Sequence, residues 1–212
     1  PSSVGVGMTD FVQLYWKRNR GWPWPEDSWG LTPMYGPDGW CDTCGVPKHS
    51  QSGSLVLQRR GMKVEGAWVP NWRLDVICVE QGLAVEAAAR FDVQTREVDW
   101  HPTSAGAATQ IIVPTVGPAW FDPEELREAT IARHGVDGAT CPRCGVWRWM
   151  PLTFGFLPPV RVTQSLGDVA IAGSPEWFGD GKRAFRQVLV RRGLAELIAA
   201  ASPRDFTVQD VL

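Results

Sequence analysis

Two copies of the pattern CxxCG limit what this chain can fold into more than any other feature. The first stands in "GWCDTCGVPKH" (39–49) and the second in "ATCPRCGVWRW" (139–149). A CxxCG turn presents two sulfurs to one ion, and its glycine permits the tight bend, so two turns supply the four thiolates of a tetrahedral zinc site. The pattern therefore predicts a structural Zn²⁺ that clasps two distant segments. The predicted ligands are Cys41, Cys44, Cys141 and Cys144.

Two other interpretations of the cysteines stay open at this point. The pairs could be thiols without metal or form disulfides, although five cysteines in a cytosolic chain favour metal binding. A redox site would need a CxxC at a strand-to-helix junction. Here "CGVPKHSQSG" predicts a loop and "CGVWRWMPLTF" a strand interrupted by proline. The fifth cysteine, Cys78 in "RLDVICVE", is predicted to be a small buried residue on a strand.

Length and charge set wide limits on the class of protein. The chain has 212 residues, 44% of them apolar, which is enough for the core of one compact protein. Its 21 basic and 23 acidic side chains give a net charge of −2, so no overall field draws it to nucleic acid or to an anionic membrane. Its apolar runs fall short of the roughly 20 residues that cross a bilayer, and its start, "PSSVGVGMTDF", does not resemble a signal peptide. We therefore expect a cytoplasmic protein with no membrane partner.

Local patterns predict an α+β fold with mixed sheets and a few helices. Strands are expected in "FVQLYW", "GSLVLQRR", "RLDVICVE" and "QIIVPTV", where Pro114 confines the last strand to an edge or an end. Helices are expected in "QGLAVEAAAR" and in "FDPEELREATIARHG". In the second helix Asp122 is a suitable N-cap, Glu125 can complete a capping box and Gly135 closes the end.

An internal similarity suggests that the fold has two related halves. Residues 77–89, "ICVEQGLAVEAAA", align without a gap to residues 188–200, "VLVRRGLAELIAA", and "FDVQ" and "FTVQ" follow them. Each copy predicts a strand, a helix and a returning strand, with the helix buried on a sheet. The expected organisation is a single compact protein with halves 41–100 and 141–212, joined by the zinc clasp and preceded by a Trp- and Pro-rich segment, 1–40.

The two CxxCG turns, here also called knuckles, and the C-terminal sequence "GDVAIAG…FRQVLVRRGLAELI…FTVQDVL" together resemble the bacterial double-CxxCG motif family. Members of that family are described as immunity proteins of polymorphic toxin systems. The resemblance implies a non-enzymatic protein that binds and neutralises a cognate toxin, most simply by covering its active site. Such a protein needs a rigid scaffold and a surface whose shape and charge complement the toxin.

Tryptophans near the N-terminus are the first candidates for contact with a partner. Four of the 12 tryptophans fall between Trp22 and Trp40, in a segment dense in proline and glycine that cannot form a long helix. Interface anchors are enriched in tryptophan, although large aromatic rings also fill gaps in irregular folds. The predicted anchors are Trp22, Trp24 and Trp29.

Acidic residues on the predicted helix after Phe121 are the second candidates. Glu124, Glu125 and Glu128 share this helix and could face a basic toxin. They could equally form a solvated helix face with favourable placement near the positive end of the helix dipole.

Catalytic patterns are missing from the sequence. Its histidines, His49, His101 and His134, form no HExxH motif, and the second pair reads "TCPRC" instead of the PCxxC of a zinc deaminase, with His134 nearby followed by "GVD". No GxSxG elbow and no GxxxxGK[ST] loop occurs. We therefore expect a protein that is not an enzyme.

The alternative function is a zinc-clasped nucleic-acid-binding or adaptor protein. Two basic stretches, "LVLQRRGMK" and "GKRAFRQVLVRRG", could contact phosphates. The charge balance makes nucleic acid the weaker prediction. The residues concerned are Arg59, Arg60, Lys63, Lys182, Arg183, Arg186, Arg191 and Arg192.

Overall fold

The structure is a computed structural model that describes residues 10–17, 22–153, 155–161 and 166–211. The predicted segment 1–40 is thus described only for 10–17 and 22–40, and the strand prediction around the second knuckle ends at Phe154, outside the described residues. In chain order the elements are β1 (Phe11–Trp16), α1 (Leu31–Tyr35), β2 (Leu55–Gln58), β3 (Ala67–Trp68), β4 (Ile77–Glu80), α2 (Gln81–Phe91), β5 (Thr95–His101), β6 (Ala108–Ile111), α3 (Pro123–His134), β7 (Gly138–Thr140), β8 (Trp147–Trp149), β9 (Ile171–Gly173), β10 (Val188–Arg191), α4 (Arg192–Ala201) and β11 (Phe206–Asp210). Over these residues the fold is α+β, with three sheets and four helices.

The first strand-helix-strand unit, β4–α2–β5, belongs to a five-stranded sheet with the order β2-β5-β6-β4-β3. β6 lies between β4 and β5 and is antiparallel to both, with Cys78 opposite Gln110 and Thr95 opposite Ile111. β4 and β5 therefore run in the same direction with one strand between them. The helix crosses over that strand, as a connection between two parallel strands requires.

The second unit, β10–α4–β11, has the same arrangement in a four-stranded sheet with the order β11-β1-β10-β9. β1 lies between β10 and β11 and is antiparallel to both, with Val12 opposite Val190 on one side and Asp210 on the other. The strand-helix-strand order predicted for both copies is thus observed. In each unit, the strand that lies between the two strands of the repeat comes from outside the predicted halves. This strand is β6, after residue 100, in the first unit, and β1, from the N-terminal segment, in the second. The four residues that open β1 are buried, because neighbours cover this central strand on both sides.

Helices α2 and α4 pack against each other and join the two units through one continuous core. The core takes Leu83 and Ala87 from α2 and Leu194 and Ile198 from α4. The helices approach closely at Gly193, where a Cβ atom would lie 3.1 Å from the Phe91 ring. Burial of each large aliphatic side chain here contributes about 1.5–3 kcal/mol, so this contact is a major source of stability.

A second core lies beneath α3 and contains Trp120, Phe121, Leu126 and Phe178. As predicted, the Asp122 carboxylate caps this helix, because it accepts hydrogen bonds from the N–H groups of Glu124 and Glu125. Gly135 ends the helix at φ 79°, a left-handed conformation that favours glycine. The capping box was predicted wrongly, because the Glu125 carboxylate accepts a hydrogen bond from Arg161 and its second oxygen is buried without a partner among the described residues.

No helix in the described part of the chain has the length and apolar character that crossing a membrane requires.

Candidate metal centre

The first CxxCG turn is closed by short backbone hydrogen bonds. The N–H of Cys41 donates to the carbonyl of Val46 at 2.9 Å, and the N–H of Gly45 donates to the carbonyl of Cys41 at 2.7 Å. Gly45 has φ 76°, which a residue with a side chain adopts only at a cost. A β-bridge between Trp40 and Pro47 holds the two ends of the turn together. The local sequence thus places both sulfurs on the same side of a tight loop.

The second CxxCG turn repeats this geometry at the tip of the β7–β8 hairpin. The N–H of Cys141 donates to the carbonyl of Val146 at 2.9 Å, and the N–H of Gly145 donates to that of Cys141 at 2.9 Å. Gly145 has φ 72°, and the hairpin pairs Thr140 with Trp147. Neither turn leads into a helix, so the structure lacks the helix N-terminus that a thioredoxin-like site requires.

The four sulfurs of the two turns meet in one cluster. All four lie within 4.8 Å of one another, although the cysteines of the second turn follow those of the first by 100 residues in the chain. The sulfurs of Cys41 and Cys141 are 3.8 Å apart, and those of Cys44 and Cys144 are 3.5 Å apart. Four Zn–S bonds of about 2.3 Å in a tetrahedron place neighbouring sulfurs about 3.8 Å apart, whereas a disulfide needs about 2.05 Å. The predicted convergence of the four cysteines is confirmed, and their arrangement fits a structural metal site such as Zn²⁺.

Backbone N–H groups stabilise the thiolate form of one ligand. Hydrogen bonds from the N–H groups of Cys144 and Arg143 are among the interactions that lower the pKa of Cys141 to about 6. Burial raises the pKa of Cys44 and that of Cys144. Metal ligands bind as thiolates, so a bound cation would offset the cost of burying these charges. The donor set and its surroundings therefore suit a soft divalent ion.

A salt bridge joins the two turns outside the sulfur cluster. The Nε of Arg143, in the second turn, lies 3.0 Å from a carboxylate oxygen of Asp42, in the first. Both side chains are more than half exposed, so solvent and salt screen this pair and its contribution to stability is small.

Residues 177–184, which follow the second turn in the chain, complete the surroundings of the cluster. Ala184 and Trp177 pack against the cysteines. The second hairpin is attached to this segment by a hydrogen bond from the N–H of Trp149 to the carbonyl of Trp177, at 2.9 Å. On the first turn, a Cβ atom at Gly45 would lie only 2.3 Å from the Lys182 carbonyl oxygen. The cluster therefore ties together three segments that are remote in sequence.

Cys78 lies apart from this cluster. Its side chain is fully buried on β4, and burial raises the pKa of its thiol. This matches the sequence prediction of a small apolar residue on a strand.

The three predicted tryptophan anchors differ in exposure. Trp22 is only 8% exposed and stacks on Phe206 with 5.7 Å between ring centres, so the prediction of an exposed anchor was wrong at this position. It is a core residue because its ring packs against Phe206, at the start of β11. Trp24 and Trp29 are exposed, at 42% and 36%.

A further exposed tryptophan, which the sequence analysis did not select, lies beside Trp24. Trp72 is 46% exposed, and its ring centre is 6.3 Å from that of Trp24. The guanidinium of Arg183 lies over the Trp72 ring at 4.5 Å. Trp72 stands alone in "VPNWRLD" and no local signal marks it, because the contacts that define its position come from residues distant in sequence.

The three predicted acidic residues on α3 do not form one free charged face. Glu124 and Glu128 are exposed, whereas Glu125 is half-buried and lies 2.5 Å from the guanidinium of Arg161. The cation of Arg161 also lies 3.4 Å from Asp122, so the start of the helix is partly neutralised.

The basic residues of the C-terminal stretch are mostly paired with carboxylates. Arg183 contacts Asp180 at 2.7 Å, and Arg191 and Arg192 contact the aspartates of neighbouring strand ends. In the other stretch, Lys63 pairs with Glu65 at 3.1 Å. Among the described residues, four of the eight cations named in the sequence analysis are thus paired with carboxylates, which weakens the two stretches as phosphate-binding surfaces.

Comparisons with protein-family models, with curated proteins and with solved structures gave no match to this chain.

Proposed function

We propose that this chain is a non-enzymatic protein-binding protein held in shape by a structural zinc ion, and that its partner is a cognate bacterial toxin. The exposed Trp24–Trp72 pair carries the protein-binding part of the proposal. The choice of a toxin rests on the resemblance of the two knuckles and the C-terminal phrase to the double-CxxCG family.

The tryptophan pair has the properties of a preorganised interface anchor. The segments that carry it are joined by hydrogen bonds from Asn71, whose N–H donates to the Pro23 carbonyl at 3.0 Å and whose side-chain amide donates to the Trp22 carbonyl at 2.6 Å. Trp72 is held at φ 65°, an unusual conformation for a residue with a large side chain. Rings that are already ordered lose little entropy on binding, and tryptophan and arginine dominate interface energetics.

The metal centre supports a structural rather than a catalytic role for the ion. Four cysteine sulfurs within 4.8 Å of one another fill a tetrahedral coordination sphere, whereas catalytic zinc keeps one position for water or substrate. In this proposal the ion fixes the shape of the protein, and the binding surface lies elsewhere.

The test uses the purified product of a toxin-like gene adjacent to the gene for this chain. We expect a complex by calorimetry and loss of the toxin's activity when it forms. Replacing Trp24 and Trp72 together by alanine should weaken binding by about tenfold or more, because each ring is expected to act as an anchor. Trp29→Ala, tested separately, shows whether the third exposed ring belongs to the same surface.

Trp147→Ala is the matched control, since Trp147 is 39% exposed and lies on the second knuckle hairpin, outside the pair. Its affinity for the toxin should stay unchanged, and all variants should keep their melting temperature. Absence of an adjacent toxin gene would remove the toxin from the proposal. If the double variant and the original chain bind the toxin equally well, the tryptophan pair is not the binding surface. If the chain purified from its native cell carries nucleic acid and no protein partner, the adaptor function is favoured.

A further inference from the structure

A polar cleft of about 570 Å³ opens beside the metal centre and is lined by both halves of the protein. We propose that it binds a small oxyanion, a metabolite that carries phosphate or carboxylate groups. The first half contributes Lys48, Arg73, Asp75 and Arg96, and the second contributes Trp177 and Arg186.

The lining of the cleft has an excess of positive charge. The lining contains four cationic side chains, those of Lys48, Arg73, Arg96 and Arg186, and one carboxylate, that of Asp75. This leaves three net positive charges in a chain whose overall charge is −2. Glu176 lies outside the lining but interacts electrostatically with Arg186, and its carboxylate accepts hydrogen bonds from the N–H groups of Trp120 and Phe121. A concave surface with one sign of charge concentrates ligands of the opposite sign.

Arg73 is the most unusual member of the lining because it is buried. Its side chain is 4% exposed and lies 3.4 Å from the Asp75 carboxylate. The Nε of Arg73 has no hydrogen-bond partner within the described ranges. Asp75 also faces the backbone N–H of Arg186, at 3.3 Å, so one carboxylate serves two partners. The buried Arg73–Asp75 pair thus forms part of the cleft wall, and an oxyanion in the cleft would offset the positive charge that the other cations add to this lining.

Arg186 is held rigidly at the other side of the cleft. Its guanidinium stacks over Trp177, with 4.1 Å from Cζ to the ring centre. One of its terminal nitrogens donates to the Ser174 carbonyl at 3.0 Å and to the hydroxyl of Thr115. Planar arginine side chains bind phosphate and carboxylate through paired hydrogen bonds, and a fixed orientation lowers the entropy lost on binding.

The dimensions of the cleft favour a small molecule over a macromolecule. Pockets for small ligands measure about 300–1,000 Å³, and this cleft falls within that range. Neutral polar groups from Gln51, Gln94 and Thr95 also line it and offer further hydrogen bonds. Because Pro47 and Trp177 belong to both the cleft and the surroundings of the knuckles, the clasp holds the two sides of the site together.

The experiment titrates the full, zinc-loaded chain with inorganic phosphate and, separately, with succinate, while NMR follows the indole N–H of Trp177. The expected result is a saturable shift with at least one probe, and the probe that binds more tightly identifies phosphate or carboxylate as the preferred group. Lys48→Gln should weaken that binding by about tenfold, since it removes one charge-assisted hydrogen bond. Lys48 is suited to this test because it is exposed and its amine contacts only the Asp38 carbonyl among the described residues.

Arg90→Gln is the control, because Arg90 lies on α2, outside the cleft lining, and pairs with Glu86. It removes the same charge and should leave the affinity unchanged. The proposal is overturned if neither probe gives a saturable shift, or if Arg90→Gln weakens binding as much as Lys48→Gln. The double alanine variant at Trp24 and Trp72 should bind the oxyanion normally, so failure of the toxin proposal and failure of this one are separable.

Discussion

The two CxxCG turns share one backbone geometry but have different surroundings. Both close with the same pair of hydrogen bonds and both place glycine in the left-handed region. Cys44 is fully buried and Gly45 lies against the Lys182 carbonyl, whereas Cys144 is partly exposed and a Cβ atom at Gly145 would meet nothing within 4 Å. The comparison teaches that the local sequence specifies the turn, while tertiary neighbours decide how much a change in it costs.

The largest effect is expected from replacing one cysteine in each turn. Cys44→Ser should lose the metal and about 4 kcal/mol of stability, because a buried hydroxyl replaces a ligand and the other thiolates lose their cation. Cys144→Ser should keep zinc with lower affinity and lose about 2 kcal/mol, because water can reach the fourth position. Metal content and urea denaturation measure both effects. Equal losses in the two variants would show that burial does not distinguish the turns.

A smaller difference in the cost of substitution is expected between Gly45 and Gly145, the glycines that end the two turns. Gly145→Ala should cost about 1 kcal/mol, the usual penalty for a side chain in the left-handed region. Gly45→Ala should cost about 3 kcal/mol, because the same penalty is joined by a contact of 2.3 Å with a backbone oxygen, which forces the Lys182 segment to move. Denaturation curves of the zinc-loaded variants test this. A cost at Gly45 no larger than at Gly145 would mean that the segment yields freely.

The smallest effect concerns the salt bridge across the turns. Asp42→Asn and Arg143→Gln should each reduce stability by less than about 1 kcal/mol, since both side chains are largely exposed. The coupling energy from a double-mutant cycle should fall as salt is added. A coupling that is insensitive to salt would indicate that the pair is shielded from solvent and holds the turns together more strongly than its exposure implies.

Sequence reasoning reached the metal centre because its signal is local. A CxxCG turn needs only short-range hydrogen bonds and one permissive glycine, so each knuckle can be recognised alone, and two knuckles of the same kind predict one shared site. The N-terminal cap at Asp122 and the end of α3 at Gly135 were predicted for the same reason. Cys78 was placed correctly because a short apolar run indicates a buried strand.

The partner surface was predicted less well because exposure depends on long-range contacts. Trp22 and Trp24 are two residues apart and look alike in sequence, yet one stacks on Phe206 and the other faces solvent. Trp72 became a candidate only when the fold brought it beside Trp24. The cationic cleft was not foreseen either, because Arg73 and Arg186 are far apart in the chain and meet around Asp75 only in the folded protein.

By itself the sequence determined the two CxxCG turns, the two ends of α3 and the strand-helix-strand order of each unit, since these follow from hydrogen bonds and apolar periodicity within a few residues. Tertiary structure alone decided that β1 completes the C-terminal sheet while β6 completes the other, and which tryptophans are buried. The physical reason is that a strand has two hydrogen-bonding edges and an aromatic ring several contact faces. Their partners are chosen by the packing of the whole chain, which no short stretch of sequence contains.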